Sequence, residues 1–303
     1  MISLKQLNYA LAVEQTLHFK KAAEACNVSQ SAMSTAIHEM EKQLGFQVFE
    51  RNNKQVLTTT QGRVFLQKAQ TIKLELDELH QLSQLNAAPL SAPMKIGVIP
   101  TIGPYLLPKV LPKVRSAYPD FKLHLVEEQS HVLVDMVRRG DLDGAILALP
   151  FPIEGLISFE FWQEDFYWIS HQDECPSGVK EITSNELELE KLMLLNDGHC
   201  LKDHALEACQ LKGEEDDQEF AATSLHTLIQ MVAGKIGTTL VPEMALEQLV
   251  KNNAEIRSVH LNEPGPHRRI ALIIRPNYVR VNDLELLKKM FCQALREGQH
   301  TPH

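Results

Sequence analysis

Cys200 and Cys209 are the residues whose type and spacing offer chemistry; the other three cysteines, at 26, 175 and 292, stand alone and suit structural positions. Thiols placed this way can pack as small apolar groups, ligate a metal or be oxidised to a disulfide. The intervening LKDHALEA favours helix. Across nine residues a continuous helix rises about 13.5 Å and turns through about 900°, which sets the sulfurs on opposite faces. A disulfide needs Cα atoms roughly 4.4–6.8 Å apart. Helix and bond therefore exclude one another, and forming the bond would make the segment unwind, a two-state switch driven by covalent chemistry. Reactivity requires a thiolate, and Arg268, Arg269 and His199 are candidate cationic or hydrogen-bonding neighbours. His204 and Glu207, between the cysteines, are placed to tune the unwinding.

Two other readings of these thiols stay open. Both can be core residues. A metal could be held by His199, Cys200, His204 and Cys209, since Cys200 and His204 are four apart, although no Cys-x-x-Cys or His-x-x-x-His pair supports it. An enzyme with Cys200 as nucleophile and His199 as base is disfavoured, because adjacent residues seldom orient their side chains for that. Gly-x-Ser-x-Gly, Walker and dinucleotide glycine patterns are absent as well.

The elements that would position Cys200 alternate. Met94–Ile99, Lys122–Glu127 and Gly144–Leu149 read as strands, and Gly103–Tyr118 and His131–Arg139 as helices, the latter stopped by Gly140. Such alternation predicts a mostly parallel sheet flanked by helices. The acidic run Glu214–Asp217 reads as a solvated loop.

The first 60 residues differ. Leu4, Leu7, Leu11 and Val13 predict one helix, Phe19–Ala25 a second, and Ser29 caps a third running from Gln30 to about Leu44, ended by Gly45. Two short helices joined by a tight turn make a helix-turn-helix, and two β-rich runs about Asn52-Asn53-Lys54 make a wing. On the third helix, Gln30, Ser31, Ser34 and Thr35 are expected to face outward, with Ala32, Met33, Ile37 and Met40 packing. A long helix follows over 62–85. Its Phe65, Ala69, Ile72, Leu76 and Leu79 step as a coiled-coil seam, the alternative being a helix packed on its own domain. NAAPLSAP (86–93) reads as a hinge.

With 303 residues, more than one domain is expected. The net charge of −9 is unevenly spread: residues 1–68 carry 8 Lys and Arg against 5 Asp and Glu, and the remainder 22 against 34. A mildly basic head on an acidic body suits a DNA-binding regulator. No apolar run is long enough for a membrane helix and no leader pattern opens the chain, so a cytoplasmic protein without membrane partners is expected.

The head resembles the winged helix-turn-helix of LysR-type transcriptional regulators. The resemblance rests on Ala22-Ala23, Val28-Ser29-Gln30, Leu44-Gly45, Phe49-Glu50-Arg51 and Thr59-x-x-Gly62. The body is similar to peroxide-sensing members of that family. The residues that carry this are Ile99-Pro100-Thr101, Gly103 to Pro108, Asp197-Gly198-His199-Cys200-Leu201 with Asp203, Thr223-Ser224-Leu225 and Arg268-Arg269.

The resemblance implies a multi-domain chain. A DNA-binding head spans 1–61, a dimerising linker helix 62–85 and a hinge 86–93. A periplasmic-binding-protein-like α/β body of two Rossmann-like lobes follows over 94–303, lobe I about 94–163 and 267–303, lobe II about 164–266. It implies a transcription regulator without cofactor, not an enzyme. Cys200 would be the thiol oxidised by hydrogen peroxide and Cys209 the resolving thiol, with Thr101, Ser130, His199 and Arg268 cradling peroxide. Ser130 stands where threonine is usual, and a shift near Pro266-His267 leaves Arg268 or Arg269 open. DNA contacts would come from Lys20, Lys21, Gln30, Ser31, Ser34, Thr35, His38, Arg51 and Lys54. Relatives carry basic residues where this chain has His38 and Glu39, and Glu39 would repel phosphate. Implied partners are double-stranded DNA, RNA polymerase, a glutaredoxin- or thioredoxin-like reductant and further copies of the chain, as a dimer of dimers. The alternative within the family is a regulator answering a small metabolite between the lobes.

Overall fold

The computed structural model describes residues 1–51, 55–82, 88–175, 178–196, 198, 200–210, 222–251 and 253–299. The chain divides into two compact units, Met1–Asn86 and Ala87–His303.

The first unit holds α1 (Leu4–Thr16), α2 (Phe19–Ala25), α3 (Gln30–Leu44), the β1–β2 hairpin (Phe49–Arg51, Val56–Thr58) and α4 (Thr60–Leu82). Local signals fix the ends: Ser29 Oγ accepts from the Ala32 amide at the start of α3, and Gly45 closes it at φ 77°. The strands pair antiparallel from Phe49 opposite Thr58 to Arg51 opposite Val56; the 52–54 tip, including Lys54, lies outside the described residues. The core gathers Leu7, Leu11, Val13, Phe19, Met33, Ile37, Met40 and Phe49.

Two expectations need correction here. Ala32 is exposed and does not pack. The α4 seam is split: Ala69 is buried in the core of its own unit beside Leu66, with Phe65 packed partly against it, whereas Ile72 and Leu79 remain exposed. The first turns of α4 thus belong to the head, and only the distal part leaves an apolar stripe uncovered.

The second unit contains two five-stranded sheets. The first runs β3 (Met94–Val98), α5 (Gly103–Ala117), β4 (Leu123–Glu127), α6 (Ser130–Arg139), β5 (Gly144–Leu149) and β6 (Ile157–Glu164). The chain then leaves to build the second sheet and its helices from β7 (Phe166–His171), β8 (Glu181–Ile182), β9 (Leu192–Met193), α7 (Cys200–Ala208), α8 (Leu225–Ala233), β10 (Thr238–Pro242), α9 (Glu243–Leu249) and β11 (Ile256–Leu261). It returns as β12 (Arg268–Ile274) and ends with α10 (Val281–Gln299).

Strand orders are β4-β3-β5-β12-β6 and β8-β11-β7-β10-β9. Neither sheet is mostly parallel, contrary to expectation: β3 pairs parallel with β4 and β5, but the returning β12 runs antiparallel to β5 and β6, and β7 antiparallel to β10 and β11. The reason is topological. A chain that crosses between lobes twice must enter each sheet once from the opposite end. A single apolar core runs through the unit, from Ile96, Ile146 and Leu272 in one lobe to Ile169, Leu240 and Val259 in the other. The run 214–217 lies outside the described residues.

Candidate functional site

The carboxyl ends of parallel strands are where open α/β sheets place ligands, because loops and helix N-termini converge there. In the first lobe these ends carry Thr101, just past β3, and Ser130, the first residue of α6. Both are buried. Gln129 caps α6 without a side-chain hydrogen bond, so the helix's first amides and its positive dipole end face the same place.

From the second lobe comes Cys200, the first residue of α7, where the helix dipole also favours a thiolate. Ile99, Pro100, Thr101, Gln129, Ser130, Gly198 and Cys200 line one crevice too tight to admit a water-sized molecule. Gly198 makes that closure possible. It holds φ +92°, and a Cβ there would sit 2.6 Å from Gln129 Oε1.

Arg268, at the start of β12, completes the site. Its guanidinium is fully buried; Nη1 donates to Thr101 Oγ1 at 3.1 Å, Nη2 to the Thr101 carbonyl at 3.0 Å and Nε to Glu164 Oε1 at 2.6 Å. Arg269 alternates to the opposite face, exposed and paired with Glu160 at 2.8 Å. The neighbouring arginines therefore have separate tasks, and only Arg268 faces the thiol. His199 lies outside the described residues.

Burial pushes the Cys200 thiol above its ordinary value, opposed by the Ser130 hydroxyl, the Arg268 charge and the Ala148 backbone, with the Asp203 carboxylate adding to the rise. Burial prevails, so the closed site does not have the lowered thiol that cationic neighbours alone would produce. The Ser130 hydroxyl finds no well-formed hydrogen bond among the described residues and faces that thiol.

Cys209 directly follows α7, its amide bonded to the Ala205 carbonyl at 3.1 Å, so helical geometry runs unbroken from one thiol to the other. Both cysteines are buried and free. Burial, with Glu263 adding to it, pushes Cys209 up to about 11. Nothing lowers it, in contrast to Cys200. Between them His204 is buried, its Nε2 2.9 Å from the Pro150 carbonyl and its Nδ1 without a partner among the described residues. Burial holds it below its ordinary value; Arg268 works in the same direction, against the Pro150 carbonyl, Glu207 and Asp203. His204 is thus a neutral tether pinning α7 to the first lobe. Among the described residues no three His, Cys, Asp or Glu side chains are grouped to hold a metal.

In the head, Gln30, Ser31, Thr35 and His38 are exposed and Ser34 is half-buried. Positions 31, 34, 35 and 38 share one face of α3. Lys20 and Lys21 are exposed, and their amides donate to His18 Nδ1 at 3.2 and 3.4 Å. Arg51 ends β1. Sequence reading missed Glu41, a buried carboxylate at the end of α3. It accepts from the Val48 and Phe49 amides at 2.8 and 3.1 Å and so fixes the start of the β1–β2 hairpin against α3. It also missed Glu164. Neither carries a motif, because their partners are backbone amides or lie far off in sequence.

The helix-turn-helix model of the bacterial regulatory lysR family matches residues 4–63, and the LysR substrate binding domain matches 87–296. A hydrogen peroxide-inducible genes activator of Dickeya chrysanthemi is 36% identical over 275 residues, 91% of this chain and 90% of its own. The HTH-type transcriptional regulator EstR of Acinetobacter baylyi is 37% identical over 274 residues, 90% of each. A full-length OxyR variant from Pseudomonas aeruginosa superimposes with a TM-score of 0.79 at 31% identity, covering 96% of this chain and 95% of that one. With a regulatory helix-turn-helix at one end and the family's two-lobed effector domain over the rest, the chain belongs to the LysR family of transcription regulators.

Proposed function

We propose that this LysR-family regulator senses hydrogen peroxide through Cys200 and carries the signal as a Cys200–Cys209 disulfide, controlling antioxidant genes. The observation that carries the reading is the set of polar groups closed around one thiol: a Ser130 hydroxyl facing it without a well-formed hydrogen bond among the described residues, Thr101 and a buried Arg268. The Cys200 thiolate attacks one peroxide oxygen, the O–O bond breaks, and hydroxide leaves to take a proton as water. Thr101 and Ser130 donate to the peroxide oxygens, and Arg268 stabilises the departing negative charge. The Cys209 thiol then attacks the sulfenic acid, forming S–S and releasing a second water. Set nine positions apart along a helix, the sulfurs must abandon the α7 geometry to meet. That rearrangement is the signal. The thiols of a glutaredoxin- or thioredoxin-like reductant return it by disulfide exchange. The reading draws further support from relatives named as peroxide-inducible activators and OxyR. The uncovered Ile72 and Leu79 of α4 suit pairing of heads within a dimer of dimers. Repositioned heads would change contact with RNA polymerase.

A second reading, a small metabolite between the lobes, stays open because the similar EstR is named only as an HTH-type transcriptional regulator, with no mention of peroxide. One equivalent of peroxide decides between them. The sensor loses two thiols, both restored by dithiothreitol, and Cys200→Ser abolishes the transcriptional response. No thiol loss, or a Cys200→Ser protein that responds normally, leaves the metabolite reading.

On DNA, Gln30, Ser31, Ser34, Thr35 and His38 would meet base edges, while Lys20, Lys21, Arg51 and Lys54 hold phosphates. Glu39 is exposed beside that face. Glu39→Lys is expected to add about one phosphate contact, steepening the slope of log affinity on log salt by about 0.9. Anisotropy titrations at several salt concentrations check it, and equal slopes refute it.

A further inference from the structure

Glu164 closes β6, at the point where the chain first leaves one lobe for the other, and its carboxylate is fully buried. Both oxygens are used: Oε1 accepts from Arg268 Nε at 2.6 Å and Oε2 from the Met244 amide in the first turn of α9 at 2.8 Å. A carboxylate so placed cannot leave the guanidinium without uncapping a helix. Arg268 spends three of its five N–H donors on Thr101 and Glu164, and its charge also acts on Cys200, His204 and Tyr105.

We propose that Glu164 is a positioning residue that restrains Cys200: it holds the Arg268 guanidinium against Thr101 while taking up much of the charge that would otherwise favour the thiolate. The balance is physical. A fixed cation beside a thiol favours ionisation, and an anion 2.6 Å from that cation offsets part of that effect. A sensor thiol held protonated until the site opens is protected from oxidants arriving at low concentration. Ser130, the Ala148 backbone and Asp203 also face Cys200, and both Glu164 substitutions below leave them unaltered.

The test is a thiolate titration of the full-length reduced protein, followed by ultraviolet absorbance against pH, with Cys200→Ser subtracted to isolate one thiol. Glu164→Gln still accepts the Met244 amide but carries no charge, and is expected to lower the Cys200 midpoint by about one pH unit. At neutral pH that multiplies the thiolate fraction about tenfold, while reduced nucleophilicity returns about a factor of three, so peroxide should oxidise Cys200 about three-fold faster. Glu164→Asp keeps the charge but draws it back from Arg268, which stays anchored on Thr101. Its midpoint should fall in the same direction and by less. A residue that merely supported the fold would alter stability in both variants and leave both midpoints where they were. An unchanged or raised midpoint in Glu164→Gln overturns the proposal, and should that protein fail to fold, an unchanged or raised midpoint in Glu164→Asp does so. The peroxide arm rests on the sensor reading, whereas the titration does not. A lowered midpoint without peroxide reactivity sustains Glu164 and removes the sensor, and an unmoved midpoint with normal peroxide reactivity does the reverse.

Discussion

Arg268→Met is expected to cost the C-terminal unit about 3–5 kcal/mol and to remove the proposed response to peroxide, and the two losses are separable. The stability loss comes from Glu164, whose carboxylate would be left buried opposite an apolar side chain. A domain with about 5–15 kcal/mol in hand loses a large part of its margin. Neutralising the stranded partner in Arg268→Met/Glu164→Gln should recover most of that, because a buried ion pair replaced as a unit often costs little. It should not recover the chemistry. Thr101 would keep its hydroxyl but lose the guanidinium that orients it, and nothing would offset the charge on the leaving oxygen. A charge-assisted contact of this kind contributes about 1.5–3 kcal/mol, so peroxide should consume Cys200 in the double variant about 10–150-fold more slowly. Urea midpoints and thiol-loss rates on the same samples read both. A double variant that regains stability and oxidation together would make Arg268 a scaffold residue only.

How much of this was legible in the sequence follows from the range of the interactions. The limits of α3 could be read because Ser29 and Gly45 act within one turn of their own positions. The strands β3 to β5 were equally local, with apolar runs bounded by Pro100 and Gly140. The antiparallel entry of β12 and β7 was not legible, since it depends on two crossings separated by about a hundred residues rather than on the pattern within a strand. The site divides the same way. Cys200 and Cys209 were singled out by the resemblance through Gly198-His199-Cys200-Leu201 and Asp203, since their spacing alone suits two core residues equally, whereas the Arg268–Glu164 pair joins positions 104 apart and looks from sequence like two ordinary charges. Choosing Arg268 over Arg269 needed the strand's two faces, because adjacent residues of β12 point in opposite directions. His204 could be picked out by its place between the cysteines, but its task as a buried neutral tether required knowing that Pro150 lies above it.

That tether should make the redox potential bend with pH. While α7 is intact, His204 is held below its ordinary value of about 6.5 and stays neutral, because burial and Arg268 both disfavour its charge. In the disulfide form proposed above, α7 has given up its register and His204 reaches solvent with an ordinary value. A histidine with a lowered value in the closed state binds fewer protons there than in the open one, so the closed state loses relative stability as pH falls below about 6.5, down to the closed-state value. Above about 6.5, reduction takes up two electrons and two protons, both thiols being protonated, and the midpoint changes by about 59 mV per pH unit. Below it the oxidised form already carries a proton on His204 and surrenders it on reduction, so net uptake drops to one and the slope to about 30 mV per unit. Acid thereby favours the disulfide more than a plain dithiol would. His204→Gln keeps a donor for the Pro150 carbonyl but cannot titrate, and its plot should hold about 59 mV per unit throughout. Glutathione-buffer equilibrations between pH 5 and 7.5, read by thiol alkylation and mass, measure both lines. A parent whose slope matches that of His204→Gln across the range would mean that His204 is equally buried in both redox forms, and α7 would then not be the element that opens.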